Sequence, residues 1–287
     1  MKPKNLQTKI FLDSGDPEET TEVIRLLGFL DGQTTNPTLV AKNPEVQRYL
    51  ASGKKLTEKE AYTRYREIVS EVSRRIPAGS VSIEVYADHT TPPEQMFAQG
   101  RDMFSWIPNA HVKYPILTSG LAAAEMSLEA GMRVNMTLCF NQAQAAAVYA
   151  ATRGPKKGDV FVSPFVGRLD DRRENGMLLI KNILEMYTHG DGHTEVLTAS
   201  VRSLDHFLAA LALGSDVVTA PAKILREWAE SGLVTPNETY VYETGALNDI
   251  PYQELDLERN WREFDIRHEL TETGIERFVR DWRAIIA

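Results

Sequence analysis

Along this 287-residue chain, apolar and polar positions alternate in short runs, and between the runs the apolar residues shift to helical spacing. Eight β-rich segments can be read in order, at residues 9–13, 30–36, 81–86, 111–115, 132–138, 159–165, 195–200 and 216–220. Stretches with the helical period separate them, clearest at 20–28, 60–75, 119–131, 143–152, 176–189 and 203–213. Strand alternating with helix predicts parallel pairing. Eight such units in one chain predict a closed (β/α)8 barrel, with an open doubly wound sheet as the alternative that pattern alone leaves standing.

The alternation also predicts which side chains enter the barrel. Ile10 and Leu12 share one face of their segment, with Asp13 on the other; Val81, Ile83 and Val85 oppose Glu84. Val112 and Tyr114 oppose Lys113; Val134, Met136 and Leu138 oppose Asn135 and Thr137; Val160 and Val162 oppose Ser163. The apolar set suits contact with an outer helix layer, and Tyr114 is expected there too. The polar set converges on the C-terminal rim, where barrels of this kind assemble active sites. A core built for stability alone has no use for it, because each buried polar group left unpaired costs about 1–3 kcal/mol.

Two stretches escape the repeat. Residues 43–60 are a polar insertion expected to form a loop and a short helix at the rim. The barrel is expected to occupy residues 1–231, and residues 232–287 to form an irregular segment and a last helix over 269–286 packed on it. Composition narrows the functional classes further. Thirty-two basic against forty acidic residues give a net charge of −8, which argues against general nucleic-acid binding. Any anionic substrate then has to be held by local arginines. The single cysteine, Cys139, has no internal disulfide partner and reads as packing; there is no apolar leader and no membrane-length apolar run. A cytoplasmic protein is expected, and the sequence leaves a homo-oligomer open.

Lys113 is the residue that most needs explaining, since lysine is seldom buried without a partner. Taken alone it reads as a strand-end lysine in water. On one inner rim with Asp13 and Glu84 it reads as chemistry. Other motifs carry less. The run 170–174 (D-D-R-R-E) reads as a solvated helix start, the glycines between His189 and His193 spoil a helical metal pair, and residues 154–158 (G-P-K-K-G) lack phosphate-loop order. No metal or cofactor is called for.

Seven segments carry a resemblance: L-D-S-G-D (12–16), D-G-Q-T-T-N-P (31–37), S-I-E-V (82–85), H-V-K-Y-P (111–115), V-N-M-T-L (134–138), S-P-F-V-G-R (163–168) and T-A-S-V-R (198–202). In this order they resemble the transaldolases and the related fructose-6-phosphate aldolases, over roughly residues 9–226, with little match beyond Gly232. The resemblance implies that Lys113 forms a Schiff base with a ketose carbonyl. It implies that Asp13 handles the proton whose loss breaks the carbon–carbon bond, and that Glu84 and Thr137 hold a proton-shuttling water. Thr35, Asn36 and Asn135 would position substrate and lysine, Ser163 and Phe165 would line the pocket, and Arg168, Ser200 and Arg202 would take a phosphate. The substrates implied are sugar phosphates. An amine attacks only when neutral, and lowering a lysine from about 10.4 to about 7 takes about 4–5 kcal/mol of environment. Nearby carboxylates oppose this, so Asp13 and Glu84 are expected either several ångströms off or with one of them protonated. Phe165 and Glu84 stand where the aldolases carry tyrosine and glutamine, which favours transfer. Release of free dihydroxyacetone, a sulfonated ketose as substrate, and a catalytically silent sugar-phosphate-binding barrel are the competing readings.

Overall fold

The computed structural model describes residues 2–237 and 239–287. Eight strands close into a parallel barrel in sequence order: β1 (Lys9–Asp13), β2 (Gly32–Thr34), β3 (Ser80–Glu84), β4 (Ala110–Pro115), β5 (Val134–Cys139), β6 (Val160–Pro164), β7 (Thr194–Thr198) and β8 (Val217–Ala220). The ring is completed by β8 pairing with β1, Ile10 opposite Val218. Around it run α1 (Pro17–Leu27), α2 (Pro37–Ala41), α3 (Pro44–Ala51), α4 (Glu58–Arg75), α5 (Pro93–Phe104), α6 (Thr118–Glu129), α7 (Gln142–Ala151), α8 (Val166–Asp170), α9 (Gly176–Tyr187), α10 (Leu204–Ala212), α11 (Ala222–Glu230) and α12 (Glu269–Ile285). The (β/α)8 barrel expected from the alternation is therefore the fold, and the open sheet is excluded.

Local sequence explains the punctuation. Asp16 caps α1 by accepting from the Glu18 amide, Pro17 opens the helix, and Gly28 closes it in the left-handed region at φ 77°. Thr57 and Glu60 form a reciprocal capping box at the start of α4. The second strand is shorter than expected, because Asn36 leaves it to cap α2 and Pro37 cannot continue a ladder. Among the helices of nine residues or more, two are not singled out by periodicity. In α5 the proline pair sits at the start, and Gly100 stands where a Cβ would come 1.9 Å from the Tyr114 hydroxyl. In α11 the apolar face is only nine residues long. The charge run 170–174 is not a helix start: it ends α8 and turns the chain, with Arg173 at φ 60°.

The barrel interior is mostly polar and satisfied in pairs. Lys9 reaches Glu195 at 2.9 Å at the strands' N-terminal end. Above it, His111 donates to the Gly158 carbonyl, accepts from the Ser80 hydroxyl and stacks on Phe161 at 4.4 Å. Higher still, Asn135 donates to Ser82 at 3.0 Å and accepts from Ser163 at 2.6 Å. The hydrocarbon lies outside, between strands and helices. Tyr114 is there as expected, fully buried with its hydroxyl 2.9 Å from Ser127 of α6.

The segment after α11 lies along the outer helices, held by amide side chains. Gln142 exchanges hydrogen bonds with the Gln253 backbone, Asn182 donates to the Ile250 carbonyl, and Trp261 donates to Glu125. The last helix then crosses the C-terminal face of the barrel and packs on α2 and the end of β5. Thr271 donates to the Leu138 carbonyl at 2.9 Å, and Leu56 and Ile286 form a parallel bridge beyond the far end of α12. The Leu138 carbonyl is presented by a break in β5: pairing with β6 shifts register after Thr137, and Leu138 takes φ 62°. Such a backbone is costly for a branched residue, and α12 seated on it holds it in place. Among the described residues, no helix is long and apolar enough to cross a membrane.

Candidate active site

The strand registers bring the sequence-singled polar residues to one rim. Glu84 pairs with Lys113, Lys113 with Asn135, and Thr137 with Ser163. Lys113 is 3% exposed. Its Nζ lies 2.9 Å from Glu84 Oε2 and donates to the Thr35 carbonyl at 3.3 Å. The contact with Glu84 has the length of an ion pair but not the angle of a hydrogen bond. Glu84 Oε2 and Thr137 Oγ1 are both buried without a hydrogen-bond partner among the described residues. The expectation that both carboxylates stand several ångströms from the lysine thus fails for Glu84. Burial pushes the Glu84 carboxyl up, against the pull of Lys113, which is the direction the protonated alternative requires.

Asp13, at the end of β1, is also pushed up by burial, opposed by the charge of Lys113 and by the Thr34 hydroxyl, which donates to it at 2.7 Å. Among the described residues it forms no ion pair with Lys113. Tyr65 of α4 fixes the floor. Thr35 spends its hydroxyl proton on the Ser82 carbonyl, so Tyr65 donates to Thr35 and accepts from the Glu84 amide at 2.9 Å. The Thr35 side chain is therefore turned away from the barrel mouth, and only its carbonyl meets Lys113. Asn36 spends its Oδ1 on the Leu39 amide as the α2 cap, yet lines the mouth. Asn135 is fully buried between Ser82 and Ser163.

A cleft of about 420 Å³ opens above these groups, lined by Asp13, Lys113, Ser163 and Phe165 and also by Arg168, Ser200 and Arg202. Arg168 lies over the rings of Phe165, at 5.3 Å, and of Phe278, at 5.8 Å. Burial, then the charge of Arg277, pushes its guanidinium down to about 10. Arg202 pairs with Asp171. Ser200 sits at φ 59°, and Gly167 is required beside it, since a Cβ there would come 2.5 Å from the Ser200 carbonyl and Arg202 Nε. A larger concavity, about 950 Å³, lies at the opposite end of the barrel. Three of its lysines are already paired, Lys2 with Asp31, Lys9 with Glu195 and Lys157 with Asp216.

Reading the strands alone missed part of the cleft wall. Thr219 was legible from alternation, as the inner neighbour of Thr34 on β8. Thr38 and Lys42 follow β2, and Arg277 and Phe278 belong to α12, where no strand pattern points. Cys139 is buried with its thiol pushed up to about 12 by burial, an inert setting. His193 is spent on Asp191 at 2.5 Å.

The Transaldolase/Fructose-6-phosphate aldolase family model matches residues 10–287. The chain belongs to this family. Among curated relatives, a probable transaldolase of Dehalococcoides mccartyi is 32% identical over 96% of this chain and 99% of its own length. One from Herpetosiphon aurantiacus is 32% identical over 96% of each chain. One from Cereibacter sphaeroides is 39% identical over 77% of this chain and 88% of its own. The family match runs through the tail, well beyond residue 226 where the resemblance read from the motifs ends. The tail serves the family fold by packing, as α12 does across the barrel mouth, and packing leaves no short motif.

Proposed function

We propose that the chain is a transaldolase working through a Schiff base on Lys113, moving a dihydroxyacetone unit from fructose 6-phosphate or sedoheptulose 7-phosphate to an aldose phosphate. The observation that carries this reading is a buried amine 2.9 Å from a buried carboxyl, at a cleft also lined by arginines. Passing the ammonium proton to Glu84 leaves a neutral amine beside a neutral acid, and burial favours that arrangement. The amine adds to the ketose carbonyl, and loss of water gives a protonated imine. Asp13 takes the proton from the hydroxyl on the fourth carbon, the bond between the third and fourth carbons breaks, and its electrons flow into the imine. The aldose phosphate leaves. The enamine then attacks the acceptor aldehyde, the steps run backwards, and water releases the new ketose.

Glu84 Oε2 and Thr137 Oγ1, buried and unpaired, are suited to the proton transfers of imine formation. Phe165 brings no hydroxyl to the cleft, and its ring serves Arg168. This favours transfer over release. The reading is tested by borohydride trapping with fructose 6-phosphate, followed by mapping of the modified lysine. Lys113→Ala is expected to abolish trapping, and trapping that persists in this variant overturns the assignment. Product formed only with erythrose 4-phosphate present identifies a transferase. Free dihydroxyacetone at a comparable rate without acceptor identifies an aldolase instead.

A further inference from the structure

Resting on the sugar-phosphate reading above, we propose that Arg277 of α12 is a third guanidinium of the cleft's anion-binding end and makes that end select a dianion. Gly274, Arg277 and Phe278 lie at i, i+3 and i+4 and so share one face of the helix. That face is seated on Arg168. A Cβ at Gly274 would come 2.7 Å from Arg168 Nη1, and the Phe278 ring lies under the same guanidinium. Arg277 therefore enters the cleft beside Arg168, and it lines the wall there with Arg202.

The charge count at this end is what points to a dianion. Asp171 is committed to Arg202. Asp281, the carboxylate nearest Arg277, receives the Thr38 hydroxyl at 2.5 Å and stands 3.8 Å from Arg277 Nε, too long for a hydrogen bond. Among the described residues Arg168 forms no ion pair with a carboxylate. Three like charges gathered in a half-buried wall repel one another, and the repulsion is relieved when an anion arrives. Burial first, then the charges of Arg277 and Arg202, push Arg168 down, while Glu84 and Asp171 oppose them. A sulfonate with one charge leaves part of the excess unmet, whereas a phosphate monoester with nearly two matches it.

Titration calorimetry of the full chain with inorganic phosphate and with methanesulfonate, at about pH 8, reads this directly. Wild type is expected to prefer phosphate. Arg277→Gln is expected to weaken phosphate binding by about ten- to hundredfold and to narrow the preference, one charge-assisted contact being lost. Arg277 is half exposed with a single long contact, so the variant is expected to keep the wild-type Tm. Arg280→Gln, on the same helix and 73% exposed, is the control for net charge and is expected to change nothing. In turnover, Arg277→Gln raises KM for fructose 6-phosphate with kcat held, and leaves KM for unphosphorylated fructose alone. Wild type that fails to bind phosphate, or Arg277→Gln and Arg280→Gln that bind it alike, overturns the proposal. Phosphate binding lost in Arg277→Gln supports it even where Lys113 forms no imine, so the two readings fail separately.

Discussion

Asp13 and Glu84 carry an electrostatic cost that a surface carboxylate does not. Both are held above the ordinary carboxylate range by burial. A folded-state pKa above the unfolded one means that the folded chain binds protons more readily. The associated stability is present below the unfolded value and is lost as pH rises through the folded one. Asp13→Asn removes the ionisable group but keeps its shape. Its stability relative to wild type is therefore expected to be greatest near neutrality and to shrink as pH falls into the ordinary carboxylate range. Denaturant midpoints for the two proteins across that range test this, and a difference independent of pH would sink it. If Asp13 is the base of the proposed mechanism, the same substitution is expected to cost about 10²–10⁴-fold in kcat.

Among the elements, strands were more legible than helices. Alternation identified the inner face of β1 and β3 to β6 because one side of each strand meets helices and the other meets polar neighbours, a contrast that survives in the residues themselves. Glycine and proline hid α5, since both usually break helices, yet here Pro93 opens the helix and Gly100 admits a tyrosine. The pairing of Gly100 with Tyr114 explains why this barrel tolerates a bulky residue beside its lysine. Gly100→Ala is expected to destabilise the protein by about 1–3 kcal/mol through overpacking. In a Tyr114→Phe background the cost is expected to fall, because the hydroxyl that meets the new Cβ is gone. A double-mutant cycle with no coupling would show that the contact is not the cause. The cleft wall from α12 had no comparable trace. Arg277 is one arginine among several on an amphipathic helix, and only its place with Arg168 in the cleft wall distinguishes it.

For the whole molecule, chemistry and stability divide along the barrel axis. Among the described residues, the buried side-chain atoms without a partner lie at the C-terminal rim, and none lies at the N-terminal end. His111 belongs to that end: burial pushes it down to about 3, against the Gly158 carbonyl, which accepts from the ring and pulls the other way. Its lowered pKa contributes stability that is complete above its unfolded value of 6.5 and is lost as pH falls toward about 3. A His111→Gln variant is therefore expected to show a shallower loss of stability on acidification from neutral pH, measured by denaturant titration. Identical slopes for the two proteins would remove His111 as the cause.

The stacked couples inside the ring bear on how this scaffold changes over generations. Ser82, Asn135 and Ser163 hold one another, so altering any one strands its neighbours without water to turn to, and altering Lys9 does the same to the buried Glu195. Laboratory libraries that randomise such sites singly should return mostly wild type. Libraries that vary them jointly give the lumen a route to new contents.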